Sequence, residues 1–206
     1  MSRILVITIL SFLLANCSNT FAQTTSAAKT ASATKPQEVI IGSYIKNIES
    51  IDIAENNYYL DFVLWMKWKG SIDPTETFKF ANVIDVWGIT IEKQFPKPKV
   101  LKDGYKYQRF LVEGRFYHKF WLGTFPLDWQ KITFEVVDKV HPRTKLIYKA
   151  DPDTNIDPGL AIPGWRIAEK YNREKPYIYE TAFGMGKDGT SKEYSEYRAG
   201  VRLYRT

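Results

Sequence analysis

The 206-residue sequence has little of what metal, redox or nucleophilic chemistry needs: one cysteine and two histidines. Cys17 has no partner within its own chain, so no intrachain disulfide can hold the fold. His118 and His141 have no cysteine near them at zinc-ligand spacing, which excludes the ordinary zinc patterns. There is no G-x-S-x-G elbow and no P-loop. Carboxylates are dispersed among basic residues rather than paired, so a two-carboxylate glycosidase site has no support. These absences point to a binding protein and not an enzyme. No apolar run reaches the ~20 residues that a membrane-spanning helix requires. What the chain does have is aromatic side chains, with 6 Trp, 13 Tyr and 12 Phe making 15% of its residues. Such side chains suit pleated, half-buried surfaces, so β structure is favoured before any pattern is read.

The first residues carry Arg3, then the apolar run Ile4–Ala15, then small residues ending at Ala22. This reads as a secretory signal over residues 1–22. An alternative is a lipoprotein box at Leu14-Ala15-Asn16-Cys17, with Cys17 lipidated. Either reading implies export across the inner membrane to a periplasmic or extracellular location. Residues 23–37 are rich in Ala, Thr, Ser and Lys with no apolar period, the composition of a disordered leader. The folded domain is then residues 38–206. A formal charge of +6 could attract nucleic acid, but export removes that partner and the basic residues are scattered.

Period-two alternation dominates this domain. Tyr58, Leu60, Phe62, Leu64, Met66 and Trp68 occupy one face of a strand whose other face carries Asp61, Val63, Trp65 and Lys67. Ile132, Phe134 and Val136 repeat the pattern, as do Tyr197, Ala199, Val201 and Leu203. Shorter apolar runs lie at Val39–Ile53, Val83–Ile91, Tyr105–Trp121, Leu146–Tyr148, Trp165–Tyr171 and Tyr177–Phe183, separated by Pro, Gly and Asp turn signals. About nine or ten antiparallel strands with no long helical period predict an all-β sandwich or barrel. Gly184–Gly189 matches G-x-G-x-x-G by letters, but it sits between strands and reads as a hairpin tip. Asp151, Asp153, Asn155 and Asp157 alternate before Pro158-Gly159, a spacing of oxygen donors that suits Ca²⁺. The EF-hand pattern is not met, since Ile156 and Ile162 stand at its Gly and Glu positions. The alternative is a solvated acidic loop.

Phe125-Pro126-Leu127-Asp128-Trp129-Gln130 resembles the F/Y-P-x-D-x-Q signature of pentameric ligand-gated ion channels, the Cys-loop receptor superfamily. Other stretches agree in order. Val39–Asp52 and Asp61–Trp68 resemble the first strand pair of that family's extracellular domain. Phe78–Val83 resembles the strand carrying the first binding loop, and Gly164–Ile167 a later strand. Tyr197–Arg205 resembles the final strand before the first membrane helix. The likeness is greatest to the prokaryotic branch, which also lacks the disulfide; the two cysteine positions fall here at His118 and Ile132.

The resemblance implies an immunoglobulin-like sandwich that forms homopentamers and binds a small ligand at each subunit boundary. An aromatic lining there would attract a cationic group. Residues placed at the ligand by the resemblance are Trp65, Lys79, Asp138, His141, Tyr179, Phe183 and Tyr194. It places Pro126, Asp128 and Arg205 where movement passes to a pore. A carboxylate and a guanidinium can form a bidentate pair there. As an exposed pair it is expected to contribute only about 0–1 kcal/mol, so Arg205→Ala should leave folding nearly intact. The sequence as given ends at Thr206 without pore helices, so conduction would belong to a pore domain absent from this chain. The other reading is a free-standing secreted β-sandwich that binds a small molecule, glycan or protein.

Overall fold

The computed structural model describes residues 35–181, 184 and 193–206. Its strands are β1 (Gln37–Asp52), β2 (Asn57–Trp68), β3 (Phe78–Phe80), β4 (Thr90–Lys93), β5 (Lys99–Val100) and β6 (Lys106–Tyr117). They continue with β7 (Trp129–Pro142), β8 (Leu146–Ala150), β9 (Asn155–Ile156), β10 (Trp165–Ile178) and β11 (Glu193–Arg205). One sheet has seven strands in the order β4-β6-β2-β1-β8, with β5 beside β6 and β9 beside β1. The other runs β10-β11-β7-β3. Among the described residues the only helical element is one 3₁₀ turn at Pro74–Glu76, and no helix is long and apolar enough to cross a membrane. The chain is all-β, with two mostly antiparallel sheets sharing one core.

The alternation in β2 decides which face is inside. Tyr58, Leu60, Phe62, Leu64, Met66 and Trp68 are all fully buried, and their odd-numbered neighbours are not. From the opposing sheet Ile132, Phe134, Val136, Tyr197, Ala199, Val201 and Leu203 enter the same core. β1 changes phase part-way: Val39, Ile41 and Ile45 point in, and the next is Ile48. An irregularity between Ile45 and Asn47 makes the shift, because one extra residue inverts the side on which later residues fall.

Three sequence expectations need correction. First, β8 and β9 pair with β1 in parallel, so the sheet is not purely antiparallel. Second, the apolar run Val83–Ile91 is largely a surface loop: Val86 is 72% and Trp87 96% exposed. Asp85 causes this, its carboxylate accepting from the Trp87 N–H at 2.9 Å while its carbonyl accepts from Gly88. Val83 makes a single bridge to Phe116 of β6, and the chain rejoins the sheet as a strand at Thr90–Lys93. Third, Trp165–Tyr171 and Tyr177 belong to the single strand β10, because β11 pairs alongside it across the polar middle, Asn172–Lys175. The signal segment lies outside the described residues, as do most of the leader and, apart from Gly184, the glycine-rich tip at residues 184–189. Gln37, assigned to the leader, instead opens β1, and its amide exchanges hydrogen bonds with the Ile72 backbone at 2.7 and 3.1 Å.

Candidate ligand site

The outward face of β2 carries Val63, Trp65 and Lys67 at every second residue. Neighbouring strands complete a cleft around them. Register sets Tyr44 of β1 against Val63, and Arg109 and Tyr107 of β6 against Trp65 and Lys67. With Asp151 and Asp153 these residues line a concave space of about 420 Å³. Trp65 lies close against β1 because Gly42 is opposite it; a Cβ there would stand 2.5 Å from the indole ring. The indole Nε1 donates to Asp151 Oδ2 at 2.9 Å, and Lys67 Nζ reaches the same oxygen at 2.9 Å. Burial pushes the Asp151 pKa up, but the Trp65 and Lys67 hydrogen bonds together outweigh it and hold the carboxyl below its ordinary range. Burial pushes the Tyr107 phenol up, so the cleft's walls are neutral rings.

Gly42→Ala is therefore a direct test of how the cleft is built. The added methyl must displace the indole and break its bond to Asp151. We expect a loss of about 2 kcal/mol, as for other overpacked sites, and a changed near-ultraviolet circular dichroism signal. An unchanged signal and unchanged denaturation midpoint would show that Trp65 is not held this way.

The acidic series that suggested calcium is divided among other partners. Asp151 serves Trp65 and Lys67, and also accepts from the Asp153 N–H at 3.1 Å. Asp157 accepts from the Tyr44 hydroxyl at 2.9 Å and from Gly159 N at 2.8 Å. Asn155 lies in β9, with its amide oxygen on the Ile156 N–H. Asp153 is exposed at the rim. Among the described residues no group of three or more His, Cys, Asp or Glu side chains could hold a metal ion.

A second group of predicted residues stands on the four-stranded sheet. Lys79 is exposed on β3. The Tyr179 and Tyr194 rings meet edge to face at 5.5 Å, and Tyr177 joins Tyr179 at 4.9 Å. Phe183 lies outside the described residues. Asp138 is fully buried: one oxygen accepts from the Val140 and His141 N–H groups at 2.9 and 2.6 Å, the other from the Thr77 hydroxyl at 2.6 Å. The His141 ring sits 3.3 Å from that second oxygen. Asp138 and His141 thus shape the end of β7; Tyr177 and Tyr179 are half-buried and present ring surface, while Tyr194 is buried.

At the Phe125–Gln130 corner, the predicted pair forms. Arg205 Nε and Nη2 donate to the two Asp128 oxygens at 2.7 and 3.0 Å. The guanidinium also lies 5.0 Å from the Phe125 ring centre and 4.4 Å from that of Trp165. Gln130 adds a further bond to Asp128 at 2.9 Å and holds the Trp121 carbonyl at 2.7 Å. Pro126 follows a cis peptide bond. Asp128 has 0% and the Arg205 side chain 19% of its surface exposed. The expectation of an exposed pair is corrected by this burial.

The sequence reading placed Trp65 but missed Tyr44, Gly42, Lys67, Tyr107 and Arg109. Lys67 was legible, two residues along the same strand face. The others depend on strand register, for which no local signal exists. No protein-family model matches the chain, and no curated protein matches it.

Proposed function

We propose that residues 38–206 form a periplasmic or extracellular ligand-binding domain of the pentameric ligand-gated channel type. In this reading an immunoglobulin-like sandwich associates into a homopentamer and binds a small ligand at each boundary. It passes the event to a pore domain outside this chain. The observation that carries the reading is the division of the predicted ligand residues. Trp65 stands in a cleft on the seven-stranded sheet, whereas half-buried Tyr179 directly follows β10 of the four-stranded sheet, packs on the buried Tyr194 ring of β11, and lines no part of that cleft. Two such half-sites make one enclosed site when the cleft of one copy meets the tyrosines of the next. The tyrosine faces favour a cationic group on the ligand, and a boundary supplies the desolvated concavity that small ligands need.

The Asp128–Arg205 junction supports the same reading. It ties the signature corner to the last residues of β11, the strand that would lead to a pore. Sedimentation velocity over a wide concentration range tests the proposal. A species of five-fold mass is expected, its population rising with protein concentration. A monomer at every concentration would overturn it and leave a free-standing secreted β-sandwich binding protein.

A further inference from the structure

Lysines from four separate stretches of the sequence meet at one end of the sandwich. Lys35 leads into β1 and Lys69 follows β2. Lys99 and Lys106 lie on the paired strands β5 and β6, with Lys102 in the turn between them, and Lys145 stands between β7 and β8. Lys35, Lys69 and Lys145 line one hollow together with Gln37, Ser71 and Thr144, and no carboxylate lines it. The β5–β6 hairpin reaches the same place, because Lys106 is in register with Trp68 and its Nζ donates to the Gly70 carbonyl at 3.1 Å. The carboxylates nearby are fewer and engaged. Glu38 meets Lys35 at 3.1 Å, Asp103 accepts from the Tyr105 N–H at 3.1 Å, and Asp73 accepts from the Thr75 N–H and hydroxyl at 2.9 and 2.7 Å. Arg143 and Glu193 beside them form a pair of their own at 4.0 Å. Lys69, Lys99, Lys102, Lys106 and Lys145 pair with no carboxylate among the described residues. All but the half-buried Lys106 are exposed. Like charges gathered in this way repel one another and create a local positive potential that a polyanion relieves.

We propose that this end of the domain docks an acidic polysaccharide, a chain that carries an anionic group on successive sugars. The inference does not rest on the boundary site described above. The patch is built from lysine, a compact and strongly hydrated point charge on a flexible stem, without the planar fork by which arginine fixes a single oxyanion. Such charges, spread over one end of a domain, suit a row of repeated anions better than one small anion. The rings in the patch are covered by the ammonium groups: Lys69 Nζ lies 4.4 Å from the centre of Tyr105, and Lys99 Nζ 3.9 Å from that of Phe95. A single-stranded nucleic acid binds on open rings against which its bases stack, and these rings are not open. A lipid surface requires apolar side chains that enter it as well as charge. Between Lys99 and Lys106 the one exposed apolar side chain is Val100. A glycan supplies the charge and demands neither.

The probes are oligogalacturonate, its uncharged methyl ester, single-stranded DNA and phosphatidylglycerol vesicles, each titrated into the full protein by calorimetry. Oligogalacturonate is expected to bind, with an affinity that falls steadily as sodium chloride is raised, and the ester to bind at least about tenfold more weakly. One variant combines Lys69→Gln, Lys102→Gln and Lys145→Gln. A second makes the same change in net charge elsewhere, with Lys119→Gln, Lys131→Gln and Lys170→Gln. The first should lose oligogalacturonate binding by at least about tenfold and the second by less than about threefold, both keeping the circular dichroism of the parent. Equal losses in the two variants would overturn the proposal, since net charge and not this surface would then set the affinity. So would equal binding of acid and ester, no binding of the acid, or an affinity insensitive to salt. Tighter binding of DNA or of the vesicles than of oligogalacturonate, at equal concentration of negative charge, would give the surface to a different partner and overturn it as well.

Discussion

Arg205→Ala is expected to destabilise the protein by about 3 kcal/mol, because it removes the cationic partner of a carboxylate that has no exposed surface in the folded protein. The substitution removes two charge-assisted hydrogen bonds and the packing of the guanidinium against Phe125 and Trp165. Gln130 is left as the only side chain donating to that carboxylate, a single neutral donor. The position of Arg205 at the edge of the domain puts the effect at the low end for broken buried pairs. Arg205→Lys should fall between alanine and the natural residue, since it keeps the charge but loses the fork and the ring contacts. Urea denaturation of the three proteins measures the order. An alanine variant within about 0.5 kcal/mol of the parent would restore the view that this is a solvated surface pair.

The same junction predicts a pH dependence with a definite sign. Hydrogen bonding to Arg205 is the main influence holding the Asp128 pKa down, from the ordinary 3.8 to about 2. A group whose folded-state pKa is depressed stabilises the native state above its unfolded pKa. That contribution is lost as pH falls through the folded value. The window for Asp128 is therefore roughly pH 4 down to pH 2. In Asp128→Asn the acid-side slope of stability should be shallower across that window, so the variant's deficit relative to the parent should be largest near neutral pH and shrink as the pH falls from 4 to 2. A parent and variant with parallel profiles between pH 4 and 2 would show that the carboxylate does not titrate there.

The core was legible in the sequence to the extent that one strand face is sufficient to define it. The inward residues of β2, of the middle of β7 and of β11 alternate without interruption, and each is buried. Legibility ended where a strand's place is set by a distant partner. β8 and β9 have five and two residues, too short to state a period, and their parallel pairing with β1 follows from where the chain returns. Val83–Ile91 misled because apolar content suggested a strand, while Asp85 supplied a stronger local preference for a turn.

The site divides along the same line. Trp65 and Lys67 share a strand face and could be read together. Arg109 joins them through the β2–β6 register, which comes from the match of two inward strand faces and from no short motif. The Asp151–Asp157 series illustrates the reverse case, a regular spacing of donors of which Asp151, Asn155 and Asp157 accept from protein groups instead. Asp128 and Arg205, by contrast, pair as the sequence suggests, and only the burial of Asp128 departs from the expectation, since Arg205 and Gln130 reach it from distant and neighbouring positions together.

Phe134→Ala should have the largest effect of any single core substitution, a loss of about 4 kcal/mol. The domain has no disulfide between its sheets, since Cys17 is the only cysteine of the sequence. Apart from a few buried hydrogen bonds such as Tyr58 hydroxyl to Thr133, cohesion between the sheets comes from packing, and the Phe134 ring is where that packing concentrates. It stacks on Phe62 of the other sheet with centroids 4.0 Å apart and rings 14° from parallel. It also meets Phe80, Phe116 and Tyr197 at 6.1, 6.5 and 6.2 Å. Alanine would open a void bounded by four aromatic rings that cannot all close on it, adding a cavity term to the lost transfer energy. For a domain of this size the midpoint of thermal unfolding should drop by about 10 °C. Phe134→Leu keeps most of the volume and should cost less than half as much, while Trp87→Ala, at a side chain 96% exposed, should change stability by less than about 0.5 kcal/mol. If alanine at 134 proved as mild as leucine, the two sheets would not be joined through this ring, and the burden would shift to the aliphatic layer of Ile41, Leu60, Val201 and Leu203.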